Sequence, residues 1–223
     1  MPNNIVAIIL GAGRSKRMHG VDKLWYEVNK TPLIIKTMAQ FLDISDINKI
    51  IIVVNKNKIG KLRQKIDNSN LINNKNIDKI QIISGGDKRQ DSVKNALAIA
   101  QDAGFYLVHD AARPFVSKKI INKVIKNLEV HKAVVPTIKI YDAIKKIKGK
   151  SIIKNIEKEN IVLAQTPQGF EGKTLRKAYK VHSKNEATDC SSLVLLLGEK
   201  IKIISGEHKN QKITVQEHLK YFK

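Results

Sequence analysis

Glycines and positive charges come together near the start of the chain and could bind an anion. The apolar run Ile5 to Leu10 ends at Gly11 and Gly13, and Arg14, Lys16, Arg17 and Lys23 follow. A continuous apolar run that ends in glycines is typical of a buried parallel strand, and ligands of open α/β sheets bind beyond such strand ends. Backbone N–H groups in a glycine-rich turn can approach an anion closely, and the cations suit a polyphosphate. We therefore expect a nucleoside triphosphate site here.

Two common nucleotide motifs do not fit this loop. The dinucleotide fingerprint needs a third glycine, but Lys16 occupies that position. The P-loop pattern is absent from the loop, and Gly172-Lys173-Thr174 matches only the end of that pattern, because Pro167 stands where its first glycine belongs. Taken alone, the loop could also be an ordinary strand–helix turn with solvated charges.

Two further strand ends carry polar groups. The first continues into Gly85, Gly86 and Ser92, where bare glycine backbone admits a flat base and the hydroxyl can bind a base or ribose. The second supplies Asp110 and Arg113. Asp110 could accept hydrogen bonds from sugar hydroxyls or help to hold a metal, and Arg113 could bind a phosphate through its forked guanidinium. Asp110 could equally be a cap on the approach to a helix, with Arg113 as its ion-pair partner.

The composition excludes several other kinds of site. The chain has 223 residues, a net charge of +21 and one cysteine, Cys190, so it has no intramolecular disulfide and no cysteine-based zinc site. The six histidines show no metal-binding spacing, and no Gly-x-Ser-x-Gly elbow is present. No apolar run is long enough for a membrane span, and the first residues lack the basic segment of a signal peptide, so we expect a cytoplasmic protein without a membrane partner.

The high positive charge raises the possibility of nucleic-acid binding. The charges are spread along the whole chain, however, and no aromatic stacking patch or reading motif accompanies them. Only six arginines remain among the many lysines, and four lie in the glycine-rich or polar stretches, which suggests a need for bidentate geometry. We expect no nucleic-acid partner, and a non-catalytic nucleotide- or RNA-binding module is the alternative from another functional class.

Alternating strand and helix patterns predict the fold class. Buried strands are predicted at 5–10, 50–54, 80–83, 105–108 and 133–136, with amphipathic helices between them, including helices capped by Thr31 and Ser117. This order is typical of an α/β protein with a doubly wound, mostly parallel sheet. No Pro- or Ser-rich linker divides the chain, so we predict one domain over residues 1–223.

Residues 138–160 differ from the rest and predict a protruding β-hairpin arm. Ile138 and Ile140 alternate with polar residues, and Lys148-Gly149-Lys150 suits a turn before a second short strand. An isolated hairpin is marginally stable in water, so the arm needs a partner surface, for which a second copy of the chain is the simplest candidate. The alternative is a mobile basic hairpin.

The combination of motifs resembles one family. The segments Gly11 to Met18, Gly85 to Val93, His109 to Pro114 and Thr166-Pro167-Gln168, with Lys23, are similar to those of 2-C-methyl-D-erythritol 4-phosphate cytidylyltransferases, and the resemblance extends in order over essentially the whole chain. It implies a Rossmann-like nucleotidyltransferase fold with a dimerisation arm. It also implies transfer of CMP from CTP to 2-C-methyl-D-erythritol 4-phosphate with release of pyrophosphate, in non-mevalonate isoprenoid biosynthesis, with Mg²⁺ held mainly by the triphosphate.

The same resemblance implies roles for individual residues. The catalytic positions that it implies are Arg17, Lys23, Lys158 and Lys212. The substrate-binding positions are Ala12, Gly13, Gly85, Asp87, Ser92, Asp110, Ala111, Arg113 and Thr166. It places the base of the arm in the site of the partner subunit. The chain departs from the family pattern mainly on the acceptor side, with Lys158 in place of arginine and Ala143 in place of threonine, so another polyol phosphate such as ribitol 5-phosphate is the alternative acceptor.

Overall fold

The computed structural model describes residues 4–13, 22–72, 74–215 and 217–220. The strands are β1 (Ile5–Leu10), β2 (Glu27–Val28), β3 (Thr31–Pro32), β4 (Ile47–Val54), β5 (Ile80–Ser84), β6 (Phe105–Asp110), β7 (Ala133–Lys139), β8 (Ile144–Lys148), β9 (Ser151–Ile156), β10 (Val162–Ala164), β11 (Gln168–Glu171) and β12 (Lys202–Ser205). The α-helices are α1 (Leu33–Leu42), α2 (Ile59–Asp67), α3 (Asn74–Ile77), α4 (Arg89–Ile99), α5 (Lys118–Leu128), α6 (Gly172–Val181), α7 (Cys190–Leu196) and α8 (Glu217–Lys220).

One mixed, mostly parallel sheet organises the described residues. Its strand order is β10-β7-β11-β6-β1-β4-β5, and β12 pairs with β7. β1 lies between β4 and β6 and is parallel to both, whereas β10 and β11 run antiparallel to β7. The predicted α/β class with a mostly parallel sheet is confirmed.

The register of the central strands brings three loops to the same edge. Leu10 pairs with Asp110 of β6 and with Val53 of β4, and Val54 pairs with Ser84 of β5. The residues after β1 and β5, and the last residue of β6, therefore lie at the carboxyl edge of the sheet, where the sequence predicted convergence.

The strand side chains alternate between two buried clusters, one on each face of the sheet. Ile5, Ala7 and Ile9 pack with α1, α2 and α5, whereas Val6 and Ile8 pack with α4, α6 and α7. Helices therefore cover both faces, and this explains why β1 is apolar at every position. None of the described helices combines the length and the apolar character that a membrane span needs.

Local predictions agree with the structure except at a few elements. Ser117 caps α5 as predicted, because its Oγ accepts a hydrogen bond from the Ile120 N–H. Thr31 is not a helix cap: it pairs with Val28 in a short hairpin, and α1 begins at Leu33. The sequence also gave no sign of β11, because a four-residue strand with Gln and Gly at its start has no detectable alternation.

The hairpin arm is formed by β8 and β9. Their turn contains Gly149 at φ 58°, a left-handed conformation that glycine adopts without strain. Ile147 and Ile152 on the arm are each 64% exposed, and the two strands pair only with each other among the described residues. The predicted hairpin is thus present, but its strands span only Ile144–Lys148 and Ser151–Ile156. Ile138, which was expected in the arm, lies in β7 of the main sheet and pairs with Leu163. Among the described residues, nothing covers most of the surface of Ile147 and Ile152.

Gly172 and Gly60 provide a matched test of backbone packing. A Cβ at Gly172 would lie 2.0 Å from the Ala103 carbonyl oxygen, whereas a Cβ at Gly60 would meet nothing within 4 Å. We expect Gly172→Ala to lower the free energy of unfolding by about 1–3 kcal/mol, because α6 must shift away from backbone that cannot yield. Gly60→Ala should leave it unchanged or raise it by up to about 1 kcal/mol. Urea unfolding of both variants checks this, and equal stabilities would contradict it.

Candidate active site

A cavity of about 700 Å³ opens where the three strand ends meet. Ala12 and Gly13 contribute from the loop after β1, Asp87 from the loop after β5, Ser92 from the first turn of α4, and Asp110 from the end of β6. Lys23 and Lys212 also line it. This cavity holds seven of the site residues that the sequence analysis named, although they come from separate parts of the chain.

The glycines of the first loop have different structural roles. A Cβ at Gly11 would lie 3.1 Å from Leu24 Cδ1 and 3.2 Å from the Val53 carbonyl, so Gly11 permits close packing. A Cβ at Gly13 would meet no atom of the described residues within 4 Å, and Gly13 lines the cavity, so its backbone can face a ligand there. Arg17, which the sequence analysis assigned to catalysis, lies outside the described residues.

The second glycine loop approaches the first one closely. A Cβ at Gly85 would lie 2.3 Å from Ala12 Cβ and 2.7 Å from Ser92 Oγ, so only glycine allows the two loops to meet. Gly86, and not Gly85, lines the cavity, and its N–H donates to Ser92 Oγ at 3.2 Å. Gly85 therefore shapes the site by bringing the walls together.

Asp110 is the electrostatic centre of the cavity. Its carboxylate lies 2.9 Å from Lys212 Nζ, 3.7 Å from Arg113 Nε and 3.9 Å from Arg89 Nε. Burial alone would raise the pKa of this carboxyl, but the charges of Lys212, Arg89 and Arg113 outweigh it and lower the pKa from 3.8 to about 2. Asp110 is therefore ionised at neutral pH and holds three cations in place.

Three of the predicted substrate-binding residues support the site from behind. Ala111 is fully buried, and its N–H and carbonyl bond to Leu10 and Thr37. Arg113 is 9% exposed and donates from Nη1 to the Asn210 carbonyl at 2.7 Å, and Thr166 is 4% exposed. None of these three is among the described residues that line the cavity, so the structure gives them no direct access to a ligand there.

His109, beside Asp110, does not supply an acid or a base to the cavity. Its Nδ1 lies 3.0 Å from Thr166 Oγ1 and its Nε2 lies 3.2 Å from the Arg113 carbonyl. Burial lowers the pKa of His109 to about 4 against the opposing charge of Asp110, so the ring is neutral at pH 7. Its role is to brace the backbone around Asp110.

Lys23 and Lys212 meet from opposite ends of the chain. Lys23 Nζ donates to the Ile213 carbonyl at 3.0 Å. Ile213 directly follows Lys212, whose ammonium contacts Asp110. The side chain of Lys212 is 38% exposed, so its ammonium is held by Asp110 yet faces the cavity. Two ammonium groups thus share one wall, an arrangement that suits an anionic ligand.

Lys158, the fourth predicted catalytic residue, lies away from this cavity. It follows β9 at the base of the arm, and its Nζ donates to the Tyr141 carbonyl. The ring of Tyr141 in turn lies against His208, with 5.8 Å between ring centroids. Within one copy of the chain, Lys158 is therefore not among the described residues that line the cavity, unlike Lys23 and Lys212.

Arg89 is a cavity residue that the sequence analysis did not assign to the site. Its Nη1 donates to Cys190 Sγ at 3.3 Å, and the Tyr179 hydroxyl lies 3.2 Å from the same sulfur. Burial alone would lower the pKa of Arg89, but the groups around it raise it overall, so it stays charged. The scarcity of arginine in the chain, with only six present, was the sequence feature that could have indicated a role for Arg89. The position of Arg89 in the sequence did not indicate which groups its side chain would contact.

The described residues include no group of three or more His, Cys, Asp or Glu side chains that could hold a metal ion. Asp87 and Asp110 are the carboxylates among the described residues of the cavity wall. Asp110 is already paired with three cations. This donor set does not form a protein cage for a divalent ion.

The link between Lys212 and Asp110 can be tested by titration. Lys212→Met removes the strongest of the charges that hold Asp110 ionised, so the pKa of Asp110 should rise from about 2 towards its ordinary value. Because the pKa is lower in the folded than in the unfolded chain, Asp110 contributes stability above about pH 4 that is lost as the pH falls towards 2. Lys212→Met loses most of this contribution, so the variant should be less stable above about pH 4 and should unfold at a higher pH when the solution is acidified.

Carboxyl carbon NMR measures the pKa directly. Lys118→Met, which removes an exposed ion pair with Asp43 at 2.8 Å, is the matched control and should leave the titration of Asp110 unchanged. An Asp110 pKa that does not move in Lys212→Met would contradict the assignment.

Comparison with known proteins identifies the family. Residues 5–222 match the family model described as 2-C-methyl-D-erythritol 4-phosphate cytidylyltransferase. The enzyme of that name from Clostridium beijerinckii is 35% identical over 219 residues, which cover 96% of this chain and 95% of that protein. The bifunctional enzyme IspD/IspF from Pelagibacter ubique is 37% identical over 98% of this chain, which spans 56% of that longer protein.

The fold agrees with the sequence comparison. The crystal structure of 4-diphosphocytidyl-2C-methyl-D-erythritol synthase from Anaerococcus prevotii superimposes with a TM-score of 0.83 at 27% identity, over 99% of this chain and 95% of that one. The 2-C-methyl-D-erythritol 4-phosphate cytidylyltransferase from Thermus thermophilus gives a TM-score of 0.79 at the same identity, over 98% of this chain. The chain therefore belongs to the 2-C-methyl-D-erythritol 4-phosphate cytidylyltransferase family.

Proposed function

We propose that this enzyme transfers CMP from CTP to 2-C-methyl-D-erythritol 4-phosphate, giving 4-diphosphocytidyl-2-C-methyl-D-erythritol and pyrophosphate in isoprenoid precursor biosynthesis. Family membership supports the reaction. The structural observation that supports it best is the cavity in which ionised Asp110 holds Lys212 and two arginines beside the glycine loops. Such an excess of fixed positive charge suits a triphosphate and a phosphate that must approach each other.

The reaction needs charge stabilisation more than proton transfer. The acceptor phosphate is already an anion at pH 7, and one of its oxygens attacks the α-phosphorus of CTP while the bond to pyrophosphate breaks. The obstacle is repulsion between anions and the charge that grows on the α-phosphate, which fixed cations reduce. A neutral, buried His109 is compatible with this scheme, because no general base is required.

In this proposal the cavity wall divides into two parts. Ala12, Gly13, Gly86 and Ser92 contact the nucleotide, with backbone groups near phosphate and a small hydroxyl near the base or ribose. Lys23 and Arg17 stabilise the α-phosphate, and Lys212 positions the acceptor phosphate. Lys23 and Lys212 lie on the same wall, which supports this division.

Mg²⁺ fits the proposal as an ion carried mainly by the triphosphate. Mg²⁺ keeps several waters and is commonly bound through one or two carboxylates together with substrate phosphates. Asp87 and Asp110 are the carboxylates among the described residues of the wall, and a site with so few acidic groups suits an ion that arrives with CTP. The ion would neutralise phosphate charge.

The decisive experiment is a pyrophosphate-release assay with CTP and each of two acceptors. We expect turnover with 2-C-methyl-D-erythritol 4-phosphate and little with ribitol 5-phosphate. Lys158 and Ala143 are the reason for including the second acceptor, since both remove contacts that the family pattern would offer. Preference for ribitol 5-phosphate would replace the acceptor in our proposal, and release with neither acceptor would overturn it.

Lys23→Ala tests the role of the first lysine in the same assay. Loss of one preorganised cation at the reacting phosphate should lower kcat by about 100- to 1,000-fold, with a smaller effect on KM for CTP. Lys123→Ala, on the exposed face of α5, is the control and should keep wild-type turnover. A near-normal kcat for Lys23→Ala would remove this residue from the mechanism.

We also propose that the enzyme is a homodimer in which the arm contacts the second copy. Ile147 and Ile152 lie exposed on the arm, and exposed Leu163 and Val162 follow on β10, so this region offers an apolar surface to a partner. A dimer also supplies a role for Lys158, which one copy keeps away from the cavity. In the dimer, Lys158 would reach the acceptor phosphate in the site of the other subunit.

Sedimentation tests the dimer. The wild-type protein should sediment at twice the chain mass of 25.1 kDa, and Ile147→Glu with Ile152→Glu should shift it to the monomer, because burying two charges in an apolar interface is costly. Ile203→Glu, at a similarly exposed position on β12, is the matched control and should remain dimeric. A wild-type protein that sediments as a monomer would contradict the proposal.

A cytoplasmic location and the absence of a nucleic-acid partner complete the proposal. The single Cys190 is a free, fully buried thiol, which suits a reducing compartment. The positive charge is spread over the chain, so any RNA binding should be weak and should disappear as salt rises.

A further inference from the structure

Lys212 lies on a segment that has no regular secondary structure of its own. Residues 206–214, here called the Lys212 segment, follow β12 and contain no described helix or strand. A lysine side chain is long and flexible, so its ammonium can be placed accurately only if the backbone that carries it is fixed.

Gln165 holds the beginning of the segment through both ends of its amide. Its Nε2 donates to the Glu207 carbonyl at 2.8 Å, and its Oε1 accepts from the Glu207 N–H at 3.1 Å. Gln165 is 2% exposed, so these bonds are shielded from water. A buried amide that pairs with both backbone groups of one residue fixes the position and the orientation of that residue.

Asn210 holds the middle of the segment and is itself fully buried. Its Nδ2 donates to the Thr166 carbonyl at 2.8 Å, and its own carbonyl accepts from Arg113 Nη1 at 2.7 Å. Asn210 lies two positions before Lys212 in the chain. The backbone is thus anchored immediately before it delivers the lysine to the cavity.

The same contacts also fix the carboxylate that receives the lysine. Thr166 Oγ1 accepts from the Asp110 N–H at 3.1 Å, and Arg113 Nε lies 3.7 Å from the Asp110 carboxylate. Lys212 Nζ then lies 2.9 Å from that carboxylate. Gln165 and Thr166 are adjacent in the chain, and together they hold both the backbone that carries Lys212 and the backbone of Asp110. The lysine and the carboxylate that it contacts are therefore positioned by the same two residues.

Gly206 shows how closely the segment approaches this turn. A Cβ at Gly206 would lie 2.4 Å from Gln165 Oε1 and 3.2 Å from the Thr137 carbonyl. Glycine is therefore required for the Gln165 amide to reach Glu207. This gives a second way to disturb the contact without removing the amide.

We propose that Gln165 and Asn210 are positioning residues that fix Lys212 for the reaction. This inference rests on the proposed function for its effect on turnover, but the anchoring itself can be measured without substrate. Neither residue lines the described cavity wall, so both act through Lys212 and do not touch the substrate there. A displacement of about 1 Å in a positioning group can cost about 100-fold in rate, so loss of the anchor should be visible in kinetics.

A double-mutant cycle separates positioning from general destabilisation. Gln165→Leu keeps the approximate volume and removes the amide. It should lower kcat by about 10- to 100-fold in the wild-type background, yet by less than about twofold in a Lys212→Ala background, where no lysine remains to be positioned. A purely structural role would lower kcat by the same factor in both backgrounds, and that result would overturn the proposal.

Gln168→Leu is the matched control. Gln168 is also buried, at 1% exposure, and lies three residues further along the chain, but its amide bonds to Asp189 at 2.7 Å and to the Ser191 N–H at 3.3 Å. It therefore anchors the start of α7 and not the Lys212 segment. Its effect on kcat should be the same factor with and without Lys212→Ala.

Hydrogen exchange tests the anchor independently of the reaction. In Gln165→Leu, amide exchange of residues 206–214 should accelerate by at least about tenfold, whereas Gln168→Leu should accelerate exchange near α7 instead. If Gln165→Leu folds poorly, Gly206→Ala serves in its place and should accelerate exchange of the same residues. Unchanged exchange of residues 206–214 in both Gln165→Leu and Gly206→Ala would overturn the proposed anchor. A wild-type enzyme without turnover would overturn the proposed function and would leave the exchange result valid.

Discussion

The buried carboxylate of Asp110 is the interaction on which the site depends. It attracts Lys212, Arg89 and Arg113 from three separate parts of the chain, and their combined charge keeps it ionised despite its burial. One negative charge for three positive ones leaves the site with a net positive charge after all the cations have been fixed. A site of this kind is preorganised for phosphate, because the cations need not rearrange when the ligand arrives.

The surrounding fold serves this arrangement at two levels. The parallel register of β1, β4, β5 and β6 places the glycine loops and Asp110 at one edge of the sheet. The turn at Gln165 and Thr166 then closes the far side, by holding the Lys212 segment against Asp110. The second level needs no regular secondary structure, since buried amide and hydroxyl groups take the place of a strand ladder.

Much of the fold was predictable because local patterns and tertiary structure agree. Apolar runs that end in glycine or in a charged residue predicted the central strands and their shared edge, and Ser117 predicted the start of α5. The errors have physical causes. Thr31 and Pro32 have a capping pattern but pair as a strand, and β11, with four residues that begin with Gln and Gly, is too short to show alternation. Gly86 faces the cavity and Gly85 does not, because Gly85 lies where the loops after β1 and β5 meet. No local sequence pattern contains the distance between two loops.

The sequence by itself determined the α/β class, the three polar strand ends and, through resemblance, the family and its reaction. These follow from hydrophobic periodicity and from motifs that are continuous in the chain. Only the tertiary structure decided that Arg113, Ala111 and Thr166 lie behind the cavity, that Arg89 lines it, and that Lys158 lies away from it in one copy of the chain. Such assignments depend on burial and on contacts between distant residues, and these exist only once the chain has folded.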